Sequence, residues 1–200
     1  MTAATRCFFN DRAETWDEMN CTDIMKSGER LIRSLNIEAI SKVLDVGCGT
    51  GFIIPWLLEA VGERGQVKAV DIVDKMLWIA RGKCERPNVL YLQADISRTP
   101  FLHHSFDEIV CHNCFLHMAE KENAAHEMYR VLRPGGLITI SHTDSRDATN
   151  LLHRGIGGEV GEDMLPDGTA MKGIFCGAGF RGVSIRDGDG GYLPQAHKPR

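Results

Sequence analysis

The sequence carries no excess of positive charge: Lys and Arg number 23 against 27 Asp and Glu, a formal net charge of -4 over 200 residues. Proteins that draw their affinity from nucleic-acid phosphates or anionic lipid need a basic surface. The expected partner is therefore a small molecule, with no nucleic acid and no membrane. Long hydrophobic runs are missing too. The longest, such as IIPWLLEAV and GLITI, stop well short of the roughly 20 apolar residues that cross a bilayer. The opening MTAATRCFFNDRAETWDE is too polar and acidic for a secretory signal. Internal repeats and low-complexity tracts are absent. The 7 cysteines are odd in number and fall mostly inside expected helices and strands. That excludes a disulfide framework and reads as reduced thiols in the cytoplasm.

What is there suits one packed domain across residues 1–200: 43% hydrophobic and 25% charged residues. KVLDVG, QVKAVDI, NVLYLQAD and DEIVCHN read as short buried strands, and GLITISH as a fifth. Helical patterns separate them: FIIPWLLEAVGE, DKMLWIARGKCE and AEKENAAHEMYRVL, the last stopped by RPGG. Strand, helix and strand in repetition predict a doubly wound, mostly parallel α/β sheet. Residues from Phe8 to Leu35 look helical, and residues 1–36 are expected to form an N-terminal cap. After the fifth strand come a capped helix in TDSRDATNLLHRGIGG and a further helix in TAMKGIFCGAG. Residues 142–173 are expected to act as a lid segment. The closing GFRGVSIRDGDGGYLPQAHK reads as an antiparallel hairpin at the sheet's edge.

Chemistry concentrates at VLDVGCGTG. Ligands of open α/β sheets bind at the carboxyl ends of the strands, where strand order reverses. Gly47, Gly49 and Gly51 have no Cβ, so this backbone can turn sharply and approach a ligand closely. A bulky residue at Gly49 is expected to block that approach. The spacing is GxGxG, not the GxGxxG of a dinucleotide site. Asp71 ends the second strand and suits a ribose diol, a role shared by NAD and S-adenosylmethionine sites. Asp45 breaks the tie. A negative charge just before the glycines is awkward beside a pyrophosphate and favourable beside a sulfonium and an ammonium. Asp95 closes the third strand, where a carboxylate can accept from an adenine amine. Three acids at successive strand ends suit a cationic nucleoside.

Taken in order, VLDVGCGTG, AVDIVDKML, LQADISRTPFLHHSFDEIV and EMYRVLRPGGLITIS resemble the class I S-adenosylmethionine-dependent methyltransferases. The likeness is strongest to the small-molecule branch that includes the ubiquinone/menaquinone-biosynthesis enzymes, and FFNDRAETWD is similar to that branch's N-terminal helix. The resemblance implies a Rossmann-like methyltransferase fold with S-adenosylmethionine as cofactor. On it, Gly47, Gly49 and Gly51 pass beneath the cofactor, Asp71 with Ile72 beside it holds the ribose, and Asp95 with Ile96 meets the adenine. Met76 packs on the adenine's other side, although its helical spacing with Leu77 and Ile79 suits the core equally. The backbone near Cys111 receives the methionine ammonium. His103 and His104 depart from the family's usual turn.

Methyl transfer from a sulfonium is an in-line displacement, so the protein must align an acceptor, exclude water and, for a protonated acceptor, supply a base. His142, after the fifth strand, and His117, in NCFLHM, are the candidates. A hydrogen-bonded structural histidine is the plainer reading of the first, and pocket shape that of the second. Arg146, Asn150 and His153 fall on one helical face and could contact an acceptor, or form a solvated outer face. Trp16, with Phe8 and Phe9, could wall the acceptor site or pack the core. Cys111 and Cys114 with His112 and His117 hint at a metal or metalloid site, yet a C-x-x-C within a buried strand reads better as small apolar residues, so no metal is expected. The expected activity is direct methyl transfer to a small molecule. A catalytically silent cofactor-binding partner subunit, a metalloid methyltransferase and an NAD-dependent oxidoreductase are the rivals.

Overall fold

The computed structural model describes residues 1–19 and 22–200. Helix α1 (Ala3–Arg12) runs into a 3₁₀ segment (Ala13–Met19), and α2 covers Thr22–Ser34. The alternating part comprises β1 (Lys42–Val46), α3 (Ile54–Val61), β2 (Gln66–Asp71), α4 (Asp74–Lys83), β3 (Val89–Gln93), β4 (Phe106–His112), α5 (Lys121–Val131) and β5 (Leu132–Ser141). Then follow α6 (Arg146–Ile156), α7 (Gly168–Ala178), β6 (Arg181–Gly188) and β7 (Gly191–His197). The sheet order is β3-β2-β1-β4-β5-β7-β6. The first five strands are parallel, and β7 runs antiparallel to both β5 and β6. This is the doubly wound sheet with a C-terminal hairpin that the sequence predicts. Strand order reverses between β1 and β4, which places the binding crevice at their carboxyl ends.

Neighbouring strand residues bury on opposite faces, as the pleat requires. Val43, Val67 and Val110 pack under α3 and α2 through Leu57, Val61 and Ile32. Leu44, Ile109, Cys111 and Ile140 pack on the other face against α5 and α7, through Met128, Val131 and Phe175. Both faces are covered, so the central strands are written as apolar runs. Each fully buried Leu, Ile or Val there contributes about 1.5–3 kcal/mol.

Two boundaries differ from expectation. The N-terminal helical stretch begins at Ala3, where Thr2 Oγ1 accepts the Thr5 N–H at 3.1 Å, and it tightens into 3₁₀ geometry from Ala13. Asn20 and Cys21, inside the expected helix, lie outside the described residues. Strand β5 begins at Leu132, so RPGG ends α5 and also belongs to the strand. Pro134 has no N–H for a ladder and Gly135 has φ +80°, and the register accordingly shifts between Phe106 and Glu108.

The connection from β5 to β6 is pinned from inside. Asn150 Nδ2 donates to the Leu165 carbonyl at 3.1 Å, and Asn150 Oδ1 accepts the Leu165 N–H at 2.8 Å. Among the described residues no helix is long and apolar enough to cross a membrane.

Candidate active site

The glycine loop continues the β1–β2 ladder before it turns: the N–H groups of Gly47 and Cys48 donate to the Val70 carbonyl at 2.8 and 3.0 Å. Gly47, Gly49 and Gly51 then take φ of +68°, +53° and +83°, a region that L side chains avoid. A Cβ on Gly47 would lie 2.0 Å from Cys114 Sγ, whereas one on Gly49 would meet nothing within 4 Å. Gly49 is thus the open face of the loop. Asp71 holds it in place, accepting the Gly49 N–H on Oδ2 at 2.8 Å and the Val73 N–H on Oδ1 at 2.9 Å. Burial pushes the Asp71 carboxyl up, against the pull of the Val73, Gly49 and Ile72 N–H groups. On the far side, Thr50 donates to Asp17 at 2.7 Å, and Asp17 pairs with Lys83, tying the N-terminal segment to loop and α4.

Asp45 is 1% exposed, and its Oδ2 has no hydrogen-bond partner among the described residues. Burial, with Asp71 adding to it, pushes this carboxyl up to about 8. A buried acid with an orphaned oxygen beside a glycine cradle is a site that a cation completes. Asp95 differs. Burial raises it, but the Ser97 N–H at 2.9 Å and hydroxyl at 2.8 Å outweigh that and hold it below the usual carboxylate range.

Two cavities of about 170 and about 130 Å³ adjoin at this edge. Each is smaller than the ~300 Å³ at the low end of small-molecule pockets. A ligand of cofactor size must therefore run through both, across Gly47, Asp71, Cys114 and His117, which line the two alike. The first also has Ile72, Asp95 and Ile96 in its wall. The second has Asp45, Gly49, Phe9, Trp16, Phe52, Met76, His112 and Asn113.

Some expected site residues fall elsewhere. Met76 lines the second cavity and packs with Phe9, Ala13 and Val160, whereas Ile96 lines the first. Cys111 is fully buried in β4, paired with Ile140, and lines neither cavity; His112, Asn113 and Cys114 hold the place expected for it, because the strand runs one residue past Cys111. Asn150 is buried with its amide committed to Leu165, which replaces the expected acceptor contact. The expected polar stripe on α6 is turned inward, leaving Leu151 and Leu152 exposed. Arg146 lines neither cavity; it pairs with Asp147, and its own N–H donates to Asp187 at 2.9 Å. His153 lies behind the cleft, 5.1 Å between ring centroids from His117, with Nδ1 3.3 Å from the Val160 carbonyl.

The two histidine candidates separate. His142 is buried, its Nε2 is unpartnered among the described residues, and it lines a different cleft with Arg30, Arg186 and Tyr192. Burial, helped by His112 and His117, takes it well below the usual imidazole range. His117 sits where the two cavities meet. Its Nδ1 lies 2.8 Å from Asp163 Oδ2, and Phe9 packs edge-on at 4.7 Å. Burial lowers His117, and Asp163 opposes the shift.

Asn113 and Asp163 were not singled out as site residues from sequence, and His112 entered only with the hint of a metal or metalloid site. Asn113 takes φ +51° and accepts the Thr143 N–H on Oδ1 at 2.9 Å, so its amide nitrogen faces Thr143 Oγ1 at 3.0 Å and His112 Nε2 at 3.2 Å. His112 Nε2 is thereby an acceptor, and Nδ1–H donates to Ser141 Oγ at 2.8 Å. Burial holds this ring neutral, down to about 4. An Asn after a strand end was the available signal; Asp163 offered none. Among the described residues no group of three or more His, Cys, Asp or Glu side chains is placed to hold a metal ion.

A parallel sheet with this hairpin, a GxGxG floor and an orphaned acid beneath it define an S-adenosylmethionine-dependent methyltransferase. Comparison with known proteins agrees. A family profile described as "Methyltransferase domain" matches residues 43–136. The ubiquinone/menaquinone biosynthesis C-methyltransferase UbiE of Vibrio vulnificus is 31% identical over 92% of this chain and 83% of its own length. A demethylmenaquinone methyltransferase of Staphylococcus epidermidis is 27% identical over 82% of this chain and 77% of its own. A SAM-dependent methyltransferase from Aquifex aeolicus shares the fold, with a TM-score of 0.73 at 24% identity over 94% of this chain and 96% of that one. The chain belongs to the class I S-adenosylmethionine-dependent methyltransferases, in their small-molecule branch. The dinucleotide oxidoreductase reading and the catalytically silent subunit are not favoured.

Proposed function

We propose that this protein methylates a ring carbon of a compact, apolar acceptor that carries an ionisable hydroxyl, of the quinol class, in the cytoplasm. The observation that carries this reading is the second cavity, whose aromatic walls Phe9, Trp16 and Phe52 open directly onto Asp45 and Gly49. The quinone-methylating activities for which the relatives from Vibrio vulnificus and Staphylococcus epidermidis are named support it.

Bound S-adenosylmethionine supplies an electrophilic methyl group on a sulfonium. The chain's residues do the rest. Gly47, Gly49 and Gly51 leave room for the cofactor's backbone-side edge, and Asp71, which keeps lone pairs beyond its two N–H contacts, receives the ribose hydroxyls. Asp95 and Ile96, with Ile72, take the adenine. Asp45 balances positive charge at the methionine end, where the backbone of His112 and Asn113 meets the ammonium. Trp16 and Phe9 exclude water from the acceptor ring. His117 accepts the acceptor's hydroxyl proton, which enriches the adjacent ring carbon in electron density. The N-terminal cap of residues 1–36 and the segment 142–173 close the site.

An acceptor panel tests the reading. A short-chain naphthoquinol, a hydrophilic catechol and a primary amine are each incubated with donor, and KM and kcat are measured for wild type and Trp16→Ala. The naphthoquinol is expected to be preferred, and Trp16→Ala to raise its KM while donor affinity stays the same. Transfer to the amine alone, or an unchanged KM in Trp16→Ala, overturns it.

A further inference from the structure

We propose that Asp163 is a positioning residue that holds His117 as the proton acceptor of the reaction, so that the base is assembled only when the segment between β5 and β6 is seated. The inference rests on the methyltransferase reading above and names the group that completes its site. Asp163 lies 46 residues from His117 in sequence and touches it through Oδ2 at 2.8 Å, with side chains 17% and 8% exposed.

The chemistry of the contact sets the tautomer. An ionised carboxylate has no proton to give, so the proton between them sits on His117 Nδ1. A neutral imidazole has one N–H, so Nε2 carries the lone pair, and no described residue hydrogen-bonds to it. The ring is packed on two sides, by Phe9 edge-on at 4.7 Å and by the tilted His153 ring at 5.1 Å between centroids, and the Asp163 contact fixes which nitrogen faces the carboxylate. His117 stands at the junction of the two cavities, where acceptor and methyl donor must meet.

The proton step balances simply. The acceptor's O–H bond breaks with its electrons left on oxygen, the proton goes to Nε2, and the imidazolium's charge is met by Asp163. As the ring carbon takes the methyl group, its own C–H bond breaks, that proton goes to water, and the oxygen recovers a proton from Nε2, which restores the quinol and the neutral base. Among the described groups that act on the ring, Lys121 on α5 and His153 on α6 oppose a positive His117, and Asp163 favours it.

The segment bearing Asp163 is tied to the rest of the site. Val160 packs with Phe9 and Met76, Thr5 Oγ1 donates to the Glu159 carbonyl at 3.2 Å, and Asn150 brackets Leu165. Positioning of the base and seating of the segment are therefore one event.

The test compares Asp163→Asn and Asp163→Glu with wild type. Long-range proton–nitrogen NMR of heavy-nitrogen histidine in the full ligand-free chain reports the His117 tautomer and its titration. Wild type is expected to show Nδ1–H. Asp163→Asn is expected to lose that preference and to titrate at lower pH. With naphthoquinol as acceptor, kcat falls about 10²-fold in Asp163→Asn while KM and calorimetric donor affinity hold, the acid limb moves to lower pH, and Asp163→Glu recovers part of the rate. An unchanged tautomer, or loss of donor affinity and raised KM with kcat and pH profile unchanged, overturns the proposal. Failure of wild type to bind donor would instead sink the functional reading, and the NMR result distinguishes the two.

Discussion

Asp71 Oδ2 accepts the backbone N–H of Gly49 at 2.8 Å, so the acid that ends β2 braces the glycine loop that follows β1. A residue expected to serve the ligand also braces the glycine loop. Asp71→Ala leaves the N–H groups of Gly49 and Val73 unpaired in a buried place. Donor affinity is expected to fall by about 1–3 kcal/mol, with a loss of stability of similar size. Asp71→Asn keeps one acceptor oxygen and is expected to fall between. Calorimetry and thermal unfolding measure both, and wild-type affinity in Asp71→Ala would refute the bracing role.

Gly49 separates space from backbone strain. Its Cβ direction is open, yet its φ of +53° penalises any L side chain. Gly49→Val is expected to fold with a loss of ~1–3 kcal/mol and to bind no measurable donor. Gly49→Ala has the same strain and less bulk, so it is expected to retain part of the affinity. Equal donor affinity in both variants and wild type would mean that nothing passes over this loop.

Asp45 gives the site a pH signature. Its folded carboxyl is raised from 3.8 to about 8, so the ligand-free protein holds a proton there that the unfolded chain has lost. Through this group the ligand-free fold loses stability as pH rises from about 4 to about 8. A bound cation favours the ionised form, so donor binding near neutral pH is expected to release a proton and to tighten as pH rises. Asp45→Asn is expected to be more stable than wild type at pH 8 and to bind donor more weakly, without proton release. Calorimetry in buffers of differing ionisation enthalpy decides it; equal proton release in the variant contradicts the assignment.

Asn150 is a structural clamp, and its variant has a different profile. Asn150→Ala removes two hydrogen bonds to Leu165 in a buried place, at a cost of about 1–3 kcal/mol. Hydrogen exchange is expected to rise around residues 160–167, with donor affinity held. A raised acceptor KM without faster exchange would restore the direct contact first expected of it.

The sheet and the glycine loop are legible because parallel strands covered on both faces are written as apolar runs, and because glycines mark the turns that other residues resist. Asp45 announces itself as a charge inside such a run. Other features are not written locally. The bulge at Pro134 and Gly135 depends on pairing with β4, and the inward turn of the α6 polar face depends on a loop that offers its backbone to Asn150. His117 is visible as a histidine after a strand, but its partner Asp163 arrives from a distant loop with no periodicity to betray it. Cys111 and Met76 were read from family position: the strand runs one residue past Cys111, so His112 and Asn113 beside it line the second cavity, and Met76 lines that cavity while packing with Phe9 and Val160.

The most direct measurement is mass spectrometry of a short-chain naphthoquinol after incubation with purified protein and isotopically labelled S-adenosylmethionine. One labelled methyl group on a ring carbon is expected, reduced in Asp45→Asn at sub-saturating donor and strongly reduced in Asp163→Asn. Tight donor binding with the naphthoquinol returned unmodified would contradict methyl transfer to this class of acceptor.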